Sequence, residues 1–196
     1  MILTNDMLKS KYQNYANKNT KISREIKSGN LIKIVNGLYE TDSNVNGYLL
    51  ANSIYGPSYL SFDFALYYYG LIPEKVTTYT SATYEKKKKK IYNNYFGTYT
   101  YRDVPAIVYP FDILIIEEDK YVVQIATPEK ALCDKLYTIS PIKKYIEFES
   151  LLFDDLRIDE EEFEKLNIED IKELSNLYHC SNVTMLYRYM RRNVNE

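Results

Sequence analysis

Apolar positions in the first thirty residues are sparse and helically spaced. Leu3, Met7 and Leu8 give a small apolar face to NDMLKSKY, and Thr4 stands ahead of it as an N-cap. Asn5 and Asp6 fall in the first turn, where negative groups suit the helix dipole. A second helix is predicted from near Asn17 to Gly29, a natural left-handed stop. Its Ile22 and Ile26 lie four apart on one face. The opposite face holds Thr20, Ser23, Arg24 and Lys27, all polar, two basic and none acidic. Next comes NLIKIVNGLYETD, residues 30–42, which reads as a strand, a turn at Asn36-Gly37 and a return strand. A type I′ turn is expected there, with φ > 0 at both central residues. Two short helices followed by a hairpin carrying Lys33 is the order of a winged helix-turn-helix, whose second helix enters the major groove while the hairpin follows a phosphate strand.

The pattern then changes twice. GYLLANSIYG reads as a helix stopped by Gly56-Pro57, and Ser61 is placed to cap FDFALYYY, with Asp63 in its first turn and Gly70 at its end. From Lys75 the segments KVTTYTSATYE, IYNNYFGTYTYRDV and ILIIEEDKYVVQIAT are rich in Val, Ile, Thr and Tyr. They predict four or five antiparallel strands, with turns at Gly97 and Glu118-Asp119. Thr127 and Pro128 suit the N-cap and first position of a helix, EKALCDKLYTI, that ends before Pro141. The tail, residues 144–193, is helical in pattern, with Asp159 and Asn167 as caps, and no internal repeat appears. The expected fold class is α+β: a winged helix-turn-helix over residues 1–43, then a mixed domain over residues 44–196 with an antiparallel sheet and a helical C-terminal tail.

Composition narrows the class. The 196 residues are 45% apolar, which supports a packed core and argues against wholesale disorder. No segment approaches the roughly 18 apolar residues of a membrane span, and MILTNDMLKSKY lacks the basic start and apolar middle of a signal peptide. Two irregularly spaced cysteines, Cys133 and Cys180, fit a reducing cytoplasm and no disulfide framework. The net charge of −2 hides an asymmetry. Residues 1–110 carry 14 Lys/Arg against 8 Asp/Glu, and residues 111–196 carry 11 against 19, so a basic front half at +6 precedes an acidic back half at −8. The front suits a polyanion; the back suits a protein partner or plain solubility.

Within the front half the candidate DNA-binding residues are Thr20, Lys21, Ser23, Arg24 and Lys27 on the second helix, with Lys33 and Asn36 on the hairpin. The planar fork of Arg24 matches the O6/N7 edge of guanine, whereas Thr20, Ser23, Lys27 and Lys33 suit phosphates. Lys86, Lys87, Lys88, Lys89 and Lys90 form an unbroken run. It reads either as a solvated strand connection or as a second set of phosphate contacts. Asp112 with Glu118, Asp119 and Lys120 loosely resembles the carboxylate–lysine set of metal-dependent nucleases, but Glu118-Asp119 reads as a turn aimed at solvent. His179, the one histidine, stands beside Cys180 at no metal-ligand spacing. No phosphate-cradling glycine loop, Ser-His-Asp set or zinc pattern is present, so no catalytic residue, metal or cofactor is expected.

Three segments together resemble the AbiEi-type antitoxins of type IV toxin–antitoxin (abortive infection) systems. They are GNLIKIVNGLY at residues 29–39; Tyr59-Leu60-Ser61 with Ala65-Leu66 and Gly70-Leu71; and IATPEKALCD at residues 125–134. Where the family often has Arg just before the hairpin glycine, this chain has Asn36. The resemblance implies a winged helix that binds inverted repeats in its own promoter, and a larger domain that counters a nucleotidyltransferase-like toxin encoded alongside, with or without physical contact. A stand-alone winged-helix regulator and a metal-dependent nuclease are the other readings.

Overall fold

In the computed structural model, residues 1–193 are described. The chain starts with a strand that the hydropathy pattern conceals, β1 (Ile2–Thr4), followed by α1 (Asn5–Lys11) and α2 (Lys18–Lys27). Both helices start on side-chain caps. Thr4 Oγ1 accepts from the Met7 amide at 3.3 Å, and Asn17 Oδ1 accepts from the Thr20 amide at 3.0 Å. Gly29, at φ 79°, takes the left-handed conformation just past the end of α2. The hairpin is β2 (Ile32–Val35) and β3 (Leu38–Glu40). β1 pairs antiparallel with β3, giving a three-stranded sheet ordered β1-β3-β2. The expected type I′ turn is corrected: only Gly37 takes a positive φ, 82°, and Asn36 does not. The strand register instead shifts between Lys33 and Val35, a bulge that absorbs the mismatch between turn and strand twist.

Leu3, Leu8, Tyr12, Ile22, Leu31 and Tyr39 close a small core of their own, with Ile26 against it. Ile34 belongs to the main core instead, and Ile2, Val35 and Leu38 pack on that core too. The hairpin therefore has one side in each cluster and is not a free projection.

A 3-10 turn (Gly47–Leu50) runs into α3 (Ala51–Ile54), followed by β4 (Tyr59–Leu60), α4 (Phe62–Tyr68), β5 (Thr78–Thr83), β6 (Lys90–Asn94), β7 (Gly97–Asp103), β8 (Ile113–Glu118) and β9 (Tyr121–Ala126). These six strands form one sheet ordered β6-β7-β5-β4-β9-β8. The expected antiparallel sheet is corrected to a mixed one, because β5 and β7 run parallel, as do β4 and β9. The connection after β5 carries the chain past one strand position to the outer edge. The β6–β7 hairpin then returns β7 beside β5 in the same direction. The two-residue β4 sits at the middle of the sheet, fully buried between β5 and β9.

Tertiary structure then becomes helical: α5 (Pro128–Tyr137), α6 (Tyr145–Ser150) continuing into a π-helical turn (Leu151–Asp155), α7 (Glu160–Glu164), α8 (Ile168–Tyr178) and α9 (Ser181–Asn193). Thr127, Asp159 and Asn167 each cap the helix they precede, as the pattern predicts. The result is an α+β fold with a mixed sheet. Among the described residues no helix is long and apolar enough to cross a membrane.

Candidate nucleic-acid interface

Amphipathicity orients α2. Ile22 is 4% exposed and Ile26 half-buried, and this apolar edge seats the helix on α1 and the three-stranded sheet. The other edge is left in solvent: Thr20, Ser23, Arg24 and Lys27 are all exposed. Neither Arg24 nor Lys27 has a carboxylate partner among the described residues. Two cations and two hydroxyl groups thus share one open face at helical spacing.

Lys21 stands apart from them. Its ammonium pairs with Glu25 and lies 5.6 Å and 5.2 Å from the ring centroids of Tyr12 and Tyr15. The hydrogen bond to Glu25 raises the Lys21 pKa above its ordinary value. Bonds from Lys21 and from the Asn30 amide at 2.8 Å lower that of Glu25. Lys21 is occupied in bracing α2 against the α1–α2 connection. Glu25, which the hydropathy pattern does not single out, is the carboxylate that draws it there.

Lys33 and Asn36 are exposed, but they face a neighbour. With Ile34 and Val35 they line a groove whose other wall is Ile54, Tyr92, Asn93 and Asn94. Gly37 accepts from the Asn5 amide at 2.9 Å, which ties the turn to the start of α1. The hairpin thus leans between α1 and the β6 edge of the large sheet.

The lysine run forms the start of β6 and the connection before it, and its members differ in role. Lys86 holds its ammonium 5.5 Å from the Tyr55 ring centroid. The Lys87 amide donates to Asp103 at 2.6 Å. Lys87, Lys88 and Lys89 are exposed, and Lys90 is half-buried.

The other candidate chemistry does not assemble. Asp112 precedes β8 and Glu118 ends it, so six residues of extended chain separate them by roughly 20 Å. Tyr48 donates its hydroxyl to Glu118, and Asp119 occupies the β8–β9 turn at φ 53°. The trio does not converge. His179 is exposed and left-handed at the end of α8, and no group of three potential metal ligands occurs among the described residues.

A cluster that motif spacing did not reveal lies in the core. Asp134, fully buried, accepts from Tyr59 at 3.0 Å, from Ser61 at 2.6 Å, from Tyr178 and from the Lys130 ammonium at 3.3 Å. Lys130, equally buried, also donates to Tyr178 at 2.6 Å. Burial and the neighbouring Asp134 carboxylate push the Tyr59 and Tyr178 phenols well above their ordinary range, so both remain donors. Ser61 therefore does not cap α4, because its hydroxyl is committed to Asp134. Two of the three resembling segments, Tyr59-Leu60-Ser61 and the one ending in Asp134, meet in this cluster. The available signal was a Lys and an Asp four apart, flanking Ala131, Leu132 and Cys133.

No protein-family model matches the chain, and no curated protein matches it.

Proposed function

We propose that the chain is a DNA-binding transcriptional autorepressor and the antitoxin of a type IV toxin–antitoxin system, countering a nucleotidyltransferase-like toxin. The observation that carries the DNA reading is the open face of α2, where Thr20, Ser23, Arg24 and Lys27 stand exposed with both cations unpaired among the described residues. In this reading β1 to β3 with α1 and α2 are a winged helix-turn-helix whose α2 enters the major groove. Arg24 reads a base edge, Thr20, Ser23 and Lys27 hold phosphates, and Lys33 and Asn36 border the duplex from the hairpin. Lys21 acts indirectly by fixing α2. An inverted-repeat operator engages two copies. The antitoxin reading rests on the three resembling segments, two of which form the buried centre of the larger domain. Action in the cytoplasm, without cofactor or catalysis, belongs to the same proposal.

The test is a titration on the chain's own upstream DNA and on a scrambled duplex. Arg24→Ala is expected to cost about 1–3 kcal/mol on the operator and to narrow the gap between the two duplexes. Lys27→Ala is expected to weaken both alike. Equal small losses on both duplexes for Arg24→Ala would remove the base-reading role. The antitoxin half is tested by co-expression with the neighbouring reading frame in a growth assay. The Arg24→Ala/Lys27→Ala double variant is expected to protect cells while failing to repress. A neighbour that is not nucleotidyltransferase-like favours a stand-alone regulator.

A further inference from the structure

On the large sheet, α4 and α5 cover one face and leave a recess at the β6–β7 edge. Its volume is about 240 Å³, and it is lined by Phe62, Thr80, Lys89, Thr100, Arg102 and Lys135 among others. A shallower hollow beside it shares Lys89 and Arg102 and adds Lys87, Lys88 and Asp103. The two carboxylates here are both engaged. Asp63 pairs with Lys135 at 2.5 Å, and Asp103 accepts from Thr83 at 2.7 Å and from the Lys87 amide.

The remaining cations are not neutralised. Arg102 is half-buried, its guanidinium 5.9 Å from the Phe62 ring centroid, and no carboxylate pairs with it among the described residues. Lys88, Lys89 and Lys90 likewise have no ion-pair partner among the described residues. A guanidinium beside a ring, partly withdrawn from water and short of an anion, suits phosphate recognition by Arg. The Thr100 hydroxyl, half-buried on the same face, makes no hydrogen bond among the described residues and supplies a further donor.

We infer that this recess is a binding site for a small phosphate ester of nucleotide size. Its phosphate would meet Arg102, Lys88 and Lys89, and its apolar or aromatic body would lie over the exposed Ile91. The shape and placement separate this ligand from the duplex on α2. Tyr92 lines the groove beside the hairpin and Ile91 lines the recess, so successive residues of β6 serve opposite faces of the sheet. The inference is independent of the DNA reading.

The test is calorimetric titration of the full chain with ATP, GTP and inorganic phosphate, followed by ³¹P NMR. Saturable binding of a nucleotide is expected, weakened about tenfold or more by Arg102→Gln and by the Lys88→Gln/Lys89→Gln double variant. Lys27→Ala should leave nucleotide binding unchanged. Duplex affinity and its salt slope should be unchanged in the recess variants. Failure of every probe to saturate at millimolar concentration, or binding indifferent to Arg102→Gln in a variant of unaltered thermal midpoint, overturns the site. Loss of duplex affinity in the recess variants, with no nucleotide binding in the parent, overturns the ligand class and assigns the cations to nucleic-acid backbone.

Discussion

Asp134 shows how one residue can organise a domain without being exposed to anything. Its carboxylate gathers donors from β4, from the residue that follows β4, from α8 and from its own helix, so four parts of the chain converge on one side chain. A buried ion pair is weak evidence of net stability, but removing one member leaves an uncompensated charge. Asp134→Leu is therefore expected to destabilise the fold by about 3–5 kcal/mol in urea unfolding, with Lys130→Met in the same range. The double variant Asp134→Leu/Lys130→Met should lose clearly less than the sum of the singles, because it buries no orphaned charge. Additive losses would mean that the two charges do not act as a pair. In the sequence Lys130 and Asp134 stand four apart on one helix face, a spacing that does not tell a buried pair from a solvated surface. Only the packing of β4 and α8 over that surface turns it inward.

At the scale of elements, what was legible follows from how local the signal is. The caps at Thr4, Thr127, Asp159 and Asn167 are set by residues within four positions of their partners, and each forms as the pattern predicts, whereas the expected cap at Ser61 is lost to a distant partner, Asp134. β1 and β4 escaped notice because three and two residues are too few to display a period of two. Their pairing also depends on strands far along the chain: β1 on β3, and β4 on β5 and β9. The parallel pairs escaped for the same reason, since no local pattern records that β6 lies outside β7. For α2 the local account makes a sharp prediction. Asn17→Ala removes the oxygen that accepts from the Thr20 amide and should cost about 1 kcal/mol, while Asn17→Asp should cost little. Thermal unfolding of the two variants measures it, and equal midpoints would mean that the cap contributes nothing. Frayed at its start, α2 would also misplace Thr20 and weaken DNA binding in the proposed reading.

For the whole molecule, the question is whether the first forty-three residues form an independent body. The sequence pattern drew a boundary at residue 43, and the small core of Leu3, Leu8, Tyr12, Ile22, Leu31 and Tyr39 accords with a separate unit. The same residues show why that unit is not self-sufficient. Near forty residues, and without a cysteine or histidine to staple it, such a stretch buries too little surface to offset its conformational entropy. This unit also turns Ile34 into the main core and rests Ile2, Val35 and Leu38 against it. The larger domain thus contributes part of what keeps α2 folded and fixes the direction in which Arg24 and Lys27 face. A peptide of residues 1–43 is accordingly expected to be largely unfolded in water, with a coil-like circular dichroism spectrum. In the full chain Ile34→Ala, a truncation in a packed core, should cost about 2–5 kcal/mol. Hydrogen exchange would locate the effect: amides of α1, α2 and the hairpin should lose protection before those of β5 and β7. A peptide with native helicity, or uniform loss of protection across the chain, would mean that the unit stands alone or that no boundary exists. If the coupling holds, a ligand or partner that alters the β6 edge can change how α2 is presented. In the proposed reading, repression and the larger domain's own task would then be linked through Ile34 and the groove beside the hairpin.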